Sequence, residues 1–234
     1  HMLAVIRACG LTPLVIVRDG AQVLRLNSSL EGAACEYWNE PDGTIDGAFT
    51  PEGYAAGVPA FLDACVEVGA QPWIGAIGNL TMTSLGWLTD MLAALPPDLP
   101  PFGITAHYYL HGQHWNRPHP GFTDRIHEVE TFKAIIGDRP WAISEFGYWT
   151  TPQRHRAWLP FWWPGNRFRW TDADVARMVR QDWDFWDWQG AAFACLYQIT
   201  DGPTNTKEDR FGLRRIDGSW KPAADTVPSR YNVV

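Results

Sequence analysis

The stretch CEYWNEPDG (residues 35–43) joins the end of an apolar segment to a carboxylate and a turn. The apolar segment, residues 32–39, is typical of a short strand that is buried on both faces. Glu40 follows it directly, between Asn39 and a proline that blocks continuation as a helix. A carboxylate at the end of a buried strand is held on a rigid support, which suits chemistry better than it suits an ordinary solvated charge. Glu40 is therefore a candidate catalytic residue.

Strand-like and helix-like segments alternate on both sides of this stretch. The strand-like runs lie at residues 13–17, 32–39, 71–79, 102–110, 140–147 and 191–200, and the helix-like runs lie at 50–69, 84–97, 123–137 and 171–190. Repeated strand–helix units predict an α/β fold, with a parallel sheet covered by helices. No linker or internal repeat interrupts the units, so we expect a single domain over residues 1–234.

Polar side chains occur where these strands end. They are Asn39, Glu40, Asn79, His107, Tyr109, Glu145 and Gln198. A (β/α) barrel of the TIM type builds its active site on the face formed by the carboxyl ends of its strands. The pattern therefore favours that architecture.

The N-terminal part of the chain is too short for a complete barrel. A full eight-stranded barrel takes about 250 residues, whereas only 31 residues precede the strand at 32–39. The segment LVIVRDGAQVLRLN (14–27) moreover predicts a hairpin with a turn at Asp19-Gly20. We therefore expect an abbreviated barrel in which strands three to eight are present and the first two are missing, shortened or rebuilt. A homodimer is one way in which such a barrel could be completed.

Glu145 is the partner that the chain supplies for Glu40. The two residues end different strands, and strands that are distant in sequence can face each other across the mouth of a barrel. Such a pair can separate two functions, because one carboxylate is ionised as a nucleophile while the other stays protonated as a general acid in the field of the first. A separation of roughly 5 Å predicts retention at an anomeric carbon, and one beyond roughly 10 Å supports neither retaining nor inverting chemistry.

Several motifs around these residues resemble those of the clan A retaining glycoside hydrolases, the (β/α)8 group that includes family 5 endoglucanases and mannanases. YWNEP (37–41) resembles their fourth-strand motif, TAHYY (105–109) their sixth strand, WAISEFGYW (141–149) their seventh-strand nucleophile motif and LYQITDG (196–202) their eighth strand. The segment FGLRRIDGSWKPA (211–223) is also similar to theirs. The resemblance covers about residues 13–225 of the chain.

The resemblance implies a role for five of the strand-end residues. By position, Glu40 would be the acid/base and Glu145 the nucleophile. Asn39 would hydrogen-bond the 2-hydroxyl of the sugar. Tyr109 would donate a hydrogen bond to Glu145, and His107 would help to order the acid/base side of the pocket.

Two positions depart from the family pattern. Tyr197 stands where the family usually has the Trp that forms the floor of the −1 subsite, and Gln198 follows it. Tyrosine is a smaller platform with a polar tip. The Arg that the family carries on its second strand has no clear counterpart, and Arg18 and Arg25 are the two candidates for its place.

Tryptophan is unusually abundant, with 14 residues, nine of them between Trp141 and Trp188. Sugar rings stack on flat aromatic faces, and the alternative interpretation is a Trp-rich core. Trp38 and Trp149 are the candidates for sugar contact. Trp149 belongs to a long segment, residues 148–170, that could line sugar subsites or form a lid packed on its own aromatics. Its other candidate contacts are Arg154, Trp162, Trp163 and Arg167.

Composition argues against several other classes. The net charge is −7 and no Lys/Arg cluster occurs, so nucleic acid is not an expected partner. No apolar run approaches the roughly 20 residues of a membrane span, and no signal peptide is visible, so the compartment stays open. The four cysteines show no CxxC pairing and are expected to be free thiols. His111, His114 and His119 are spaced too loosely for a metal site, so we expect neither a metal nor a cofactor.

The sequence thus predicts a retaining glycoside hydrolase that cleaves β-linked polysaccharide or oligosaccharide by double displacement. Glu145 would attack, and Glu40 would protonate the leaving group and then activate water. Two alternatives stay open. One is a non-catalytic carbohydrate-binding barrel, and the other is a transglycosylase with the same site and a different acceptor.

Overall fold

The structure is a computed structural model that describes residues 2–8, 11–43, 49–109, 119–149, 170–202 and 210–226. Its elements are α1 (Met2–Ala8), β1 (Leu14–Val17), α2 (Gly20–Leu26), β2 (Ala34–Tyr37), α3 (Pro51–Ala55), α4 (Val58–Val68), β3 (Gln71–Ile77), α5 (Met82–Ala94), β4 (Gly103–Tyr108), α6 (Arg125–Ile136), β5 (Trp141–Phe146), α7 (Asp172–Gln189) and β6 (Ala194–Leu196). Short 3₁₀ helices follow α2 (Asn27–Leu30) and end the described chain (Pro222–Thr226).

The six strands form one parallel sheet in sequence order, so that each strand lies beside the next one along the chain. The sheet curls as the wall of a barrel does, and over the described residues β1 and β6 are its two edges. The expected α/β fold and abbreviated barrel are confirmed, and each of the six predicted strands is present. Completion of the barrel by a second chain stays a prediction.

The hairpin predicted for residues 14–27 is wrong. Only its first half is a strand, β1, and the chain then enters helix α2 at Gly20. Asp19 caps this helix, since its Oδ1 accepts a hydrogen bond of 2.6 Å from the backbone N–H of Gln22. The missing side chain of Gly20 lets α2 approach α4, because a Cβ there would lie 2.5 Å from the carbonyl oxygen of Ala60. The Asp-Gly pair is thus a helix start, and β1 and α2 form a βα unit.

The helix predicted for residues 50–69 is two helices, α3 and α4, with a break at Gly57. A Cβ at Gly57 would lie 2.0 Å from the hydroxyl oxygen of Tyr37, so glycine allows the break to pack on β2. Tyr54 lies next to the break and links two strands. Its hydroxyl donates to the carbonyl of Tyr37 (2.7 Å) and accepts from the N–H of Gly75 (3.0 Å). The break therefore ties the helices to the strand that precedes Glu40.

Side chains alternate between the two faces of the curled sheet. The outer face packs on the helices and forms the main core. The inner face begins with a small apolar cluster of Ala34, Trp73 and Ala142. The next inward positions toward the carboxyl ends of the strands are polar and buried: Glu36, Thr105, His107 and Ser144. The residues that carry the candidate chemistry therefore lie next to this apolar cluster.

The cysteines and the lengths of the helices were also predicted from the sequence. Cys35, Cys65 and Cys195 are free thiols, as predicted, and Cys9 lies outside the described residues. In the part of the chain that the structure describes, no helix has the length and apolar character to cross a membrane.

Candidate active site

The chain turns sharply after β2, and this turn aims Glu40. Trp38 and Glu40 both have left-handed backbone angles, with φ of 62° and 45°, as does Ala76 on the neighbouring strand, with φ of 42°. Such angles cost a non-glycine residue about 1–3 kcal/mol each, and they concentrate at functional sites. The N–H of Glu40 donates to the carbonyl of Ala76 (3.1 Å), which fixes the turn against β3.

Asp42 stabilises the next part of the same turn. Its Oδ1 accepts a hydrogen bond of 2.8 Å from the N–H of Gly78, and the N–H of Gly43 donates to the carbonyl of Glu40 (2.9 Å). Asp42 thus shapes the turn that follows Glu40.

His107 stands between the two predicted catalytic carboxylates. Its Nδ1 lies 3.0 Å from Oε1 of Glu40 and 3.7 Å from Oε2 of Glu145. The register of β4 and β5 shifts between Ala106 and His107, so that His107 pairs with Glu145. Irregularities of this kind re-aim side chains near active sites. The imidazole is fully buried, whereas the carboxylates keep side-chain exposures of 17% and 23%.

The contacts of His107 limit the distance between the two carboxylates. Since Nδ1 reaches both, the Glu40 and Glu145 oxygens cannot lie further apart than the two distances together, about 6.7 Å. This limit excludes the separation beyond roughly 10 Å at which paired-carboxylate glycoside chemistry is unsupported, and it admits the roughly 5 Å of retaining enzymes.

Tyr109 is the second group that holds Glu145. Its hydroxyl donates a hydrogen bond of 2.8 Å to Oε2 of Glu145. Burial raises the pKa of the Tyr109 phenol, and the charge and hydrogen bond of Glu145 raise it further. The phenol therefore keeps its proton and remains a donor to the carboxylate.

The protonation of His107 reflects opposing influences. Burial lowers its pKa, but the hydrogen bond with Glu40 and the charges of Glu145 and Glu36 raise it, and the net direction is upward. His107 is therefore placed to donate from Nδ1 toward Glu40, and this contact orients the carboxyl group at the mouth of the site.

Asn79, a candidate substrate contact by its place at a strand end, faces the backbone of Tyr109. It is buried, and its amide binds both backbone groups of Tyr109. Nδ2 donates to the carbonyl of Tyr109 (2.7 Å), and Oδ1 accepts from the N–H of Tyr109 (3.2 Å) and from the N–H of Leu80 (3.2 Å). His119 also faces the Tyr109 carbonyl, at 3.3 Å from Nε2. Asn79 is thus a clamp on the residue that contacts Glu145.

A cavity of about 360 Å³ opens beside Glu145. Its lining residues are Ile16, Arg18, Gln22, Trp38, Asn39 and Glu145. The guanidinium of Arg18 lies 5.4 Å from the centre of the Trp38 ring. Of the two arginines considered for the missing second-strand Arg, only Arg18 lines this cavity, and Arg25 is exposed on α2. A larger cavity of about 600 Å³ lies at the opposite end of the strands, before β4 and β5, away from the carboxylates.

Aromatic rings form a wall on the other side of Glu145. The ring of Tyr109 lies 6.4 Å from that of Tyr197 and 5.7 Å from that of Phe211. Phe211 also lies 5.7 Å from Trp149. Tyr197 is the most exposed of these rings, at 36%. Gln198 anchors the wall through its carbonyl, which accepts from the N–H of Leu213 (3.1 Å).

Sequence reasoning missed Phe211 as a residue of the site. A buried ion pair holds it there, because Lys221 Nζ lies 2.7 Å from Oδ1 of Asp201, which also accepts from the N–H of Gly212 (2.9 Å). The only available signal was the FGLRRIDGSWKPA segment as a whole, which gives no position for the ring.

The structure thus brings together Trp38, Asn39, Glu40, His107, Tyr109, Glu145, Trp149 and Tyr197. Other candidates lie outside the described residues: Arg154, Trp162, Trp163 and Arg167, and His111 and His114. His119 is buried and faces Glu128, with its Nδ1 2.9 Å from Oε1. No group of three or more metal-ligating side chains occurs among the residues described.

Comparison with solved structures identifies the architecture. A GH128 (subgroup II) endo-β-1,3-glucanase from Sorangium cellulosum matches 94% of this chain and 81% of its own, with a TM-score of 0.64 and 18% identity. The fold that the two chains share is a (β/α) barrel. A glycoside hydrolase family 17 β-1,3-glucanosyltransferase from Rhizomucor miehei matches 95% of this chain and 79% of its own, with a TM-score of 0.66 and 11% identity.

An active-site mutant of the Rhizomucor miehei β-1,3-glucanosyltransferase, in complex with laminaritriose, is also similar. It matches 95% of this chain and 79% of its own, with a TM-score of 0.59 and 12% identity. No protein-family model matches the sequence, and a search of curated proteins finds no match. The likeness is therefore one of fold, and the site has to be argued from its own geometry.

Proposed function

We propose that the protein is a retaining glycoside hydrolase that acts on β-linked polysaccharide or oligosaccharide. The observation that carries the proposal is the contact of one imidazole nitrogen with two carboxylates from different strands, Glu40 and Glu145. This contact keeps the two carboxylates close enough for paired-carboxylate catalysis. It therefore favours an enzyme over a barrel that only binds sugar.

In the first step, Glu145 attacks the anomeric carbon while Glu40 gives its proton to the glycosidic oxygen. The bond between the anomeric carbon and that oxygen breaks, and an ester bond to Glu145 forms. The phenol of Tyr109, which donates to Oε2 of Glu145, holds the attacking group in place. Asn39 lines the cavity beside Glu145 and would bind the 2-hydroxyl of the sugar.

In the second step, Glu40 acts as a base. It takes a proton from water, the water oxygen bonds to the anomeric carbon, and the ester bond breaks to return Glu145 as a carboxylate. In both steps, His107 binds Oε1 of Glu40. Oε2 of Glu40 therefore faces the leaving group in the first step and the water in the second.

Transglycosylation is the second candidate, and the likeness to a β-1,3-glucanosyltransferase supports it. The chemistry to the glycosyl ester is identical, and the acceptor is a sugar hydroxyl in place of water. The aromatic wall beside Glu145 is the surface on which such an acceptor could stack.

The first substrates to test are β-1,3-gluco-oligosaccharides, because two of the similar structures act on β-1,3-linked glucan by name. We expect proton NMR to show the β-anomer as the first product, since double displacement retains configuration. A longer oligosaccharide among the products would indicate transglycosylation. Glu145→Gln should abolish turnover, and Thr131→Ala, on the surface of α6, is the matched control. First appearance of the α-anomer, or normal turnover by Glu145→Gln, would contradict the proposal.

A further inference from the structure

The mechanism above leaves one buried carboxyl group unexplained. Glu36 lies on the inner face of β2, four residues before Glu40, and is fully buried. Neither of its oxygens has a hydrogen bond of good geometry among the described residues. A buried carboxyl without a firm partner costs stability, so its position requires a reason.

Other buried polar atoms without a hydrogen-bond partner share this interior. They are Nε2 of His107 and Oγ of Ser144, from β4 and β5. Glu36 interacts electrostatically with His107, and the hydroxyls of Ser144 and Thr105 are close enough to influence it. Glu36, His107 and Ser144 are thus neighbours on the inner face, and each has a buried polar atom without a hydrogen-bond partner.

The chemistry of these atoms is complementary. Burial raises the pKa of Glu36, while the charge of His107 and the Ser144 and Thr105 hydroxyls lower it, and the net direction is upward. This direction stabilises the protonated form of the carboxyl group relative to its charged form, and the protonated form can donate a hydrogen bond. A neutral imidazole that donates from Nδ1 has an acceptor at Nε2. A buried water needs two to four polar partners, and Glu36, His107 and Ser144 supply three.

We propose that Glu36 is a positioning residue for the acid/base: its carboxyl donates, through one buried water shared with Ser144, to Nε2 of His107, and this keeps the ring hydrogen on Nδ1, where it faces Glu40. With Nδ1–H bound to Oε1 of Glu40, the acidic hydrogen of Glu40 stays on Oε2, which is free to protonate the leaving group. When the proton crosses from Glu36 to Nε2, Nδ1 still carries its own hydrogen, so Glu40 is aligned in both states.

This inference rests on the proposed function, and its first test does not require activity. The protein is labelled with ¹⁵N-histidine, and the His107 signals are assigned by comparison with His107→Gln. We expect Nδ1 of His107 to carry a hydrogen in the wild type and in Glu36→Gln, whose amide can still donate. Glu36→Leu has a similar volume and no donor, so its hydrogen should move to Nε2. A wild-type Nδ1 without hydrogen, or an unchanged tautomer in Glu36→Leu, would overturn the proposal whether or not the protein hydrolyses sugars.

The second test compares leaving groups. General acid catalysis contributes roughly 10²–10⁴-fold, so Glu36→Leu should lower kcat/KM by about tenfold or more for an unactivated oligosaccharide. It should change the value by less than about threefold for a dinitrophenyl glycoside, which needs little protonation. Glu36→Gln should restore the oligosaccharide rate. Equal losses on both substrates would show a merely structural role, and a wild type that cleaves neither would contradict the proposed function instead.

Discussion

At the scale of the residue, the site depends on two buried side chains, His107 and Tyr109, that hold the catalytic carboxylates in place. Glu40 combines a left-handed backbone angle with a side-chain contact to His107, and Glu145 is bound by Tyr109. The sequence predicted these four residues from their positions at strand ends. It could not predict how Asn79 is used, because a strand-end amide can face either a ligand or the backbone of a neighbouring loop.

The hydrogen bond from Tyr109 is the first contact to test. Tyr109→Phe removes a donor to an ionised carboxylate, and such bonds contribute about 1.5–3 kcal/mol. We expect kcat/KM to fall by roughly 10–100-fold. The loss should fall mainly on kcat, because the phenol positions the group that attacks. An unchanged kcat/KM would show that the phenol does not act on the nucleophile.

Asn79 should act through Tyr109. Asn79→Ala leaves buried backbone groups unpaired, at a cost of about 1–3 kcal/mol of unfolding free energy. It should also lower kcat/KM, and the Asn79→Ala/Tyr109→Phe double variant should lose little more than Tyr109→Phe alone, because the two residues act on Glu145 as a unit. Additive losses of kcat/KM would contradict the clamp. Thr131→Ala, on the exposed face of α6, is the control.

At the scale of the element, buried parallel strands were predictable and the chain between β1 and β2 was not. β2 and β4 are short runs without an exposed residue, because both of their faces are covered. The Asp19-Gly20 pair was ambiguous, since aspartate favours both tight turns and helix N-caps. A tertiary contact decides between the turn and the helix start, because α2 approaches α4 closely at Gly20. No local sequence pattern shows this contact. The break between α3 and α4 is likewise set by the hydroxyl of Tyr37.

The break offers a matched pair of glycine substitutions. Gly57→Ala places a Cβ 2.0 Å from the Tyr37 hydroxyl, so the packing of α4 on β2 must shift. We expect the unfolding free energy to fall by about 1–3 kcal/mol. Gly86→Ala, in the exposed middle of α5 with no atom within 4 Å, should instead raise it by about 0.5–1 kcal/mol. Urea titration measures both, and equal effects of the two substitutions would contradict this account of the break.

At the scale of the whole molecule, the fold places an acidic interior inside a protein of net charge −7. Glu36 and His107 both have pKa values raised by the folded structure, above 4.5 and 6.5 respectively. A group with a raised pKa contributes stability that is fully present below its unfolded value and is lost as the pH rises through its folded value. Above pH 4.5, both groups therefore make the free energy of unfolding decrease as the pH rises.

The molecule should accordingly lose stability as the pH rises from about 5 to about 8, since the folded state binds more protons than the unfolded state over this range. Growing self-repulsion at increasing negative charge acts in the same direction. Urea unfolding at a series of pH values measures how the free energy of unfolding changes with pH. The Glu36→Gln/His107→Gln double variant should show a flatter dependence. A wild-type stability that increases over this range would contradict the assignment of the two groups.

The assembly of the site from separate parts of the chain limits what sequence alone can show. The positions of Glu40 and Glu145 followed from local motifs, but their separation depends on the register shift that pairs His107 with Glu145. The ring of Phe211 enters the site through the Lys221–Asp201 contact, which joins distant segments. The isolation of Glu36 within the barrel interior is likewise a property of the folded sheet.

The most direct test of the central claim is covalent labelling of the nucleophile. The protein is incubated with 2-deoxy-2-fluoro-β-glycosides of several sugars, and intact-mass measurement is followed by peptide mapping. A fluorinated sugar slows both steps, so a retaining enzyme accumulates its glycosyl ester. We predict one added glycosyl group, on Glu145, and none in Glu145→Gln. A label on any other residue, or an unlabelled protein that nevertheless hydrolyses the parent sugar, would contradict the assignment of Glu145 as the nucleophile.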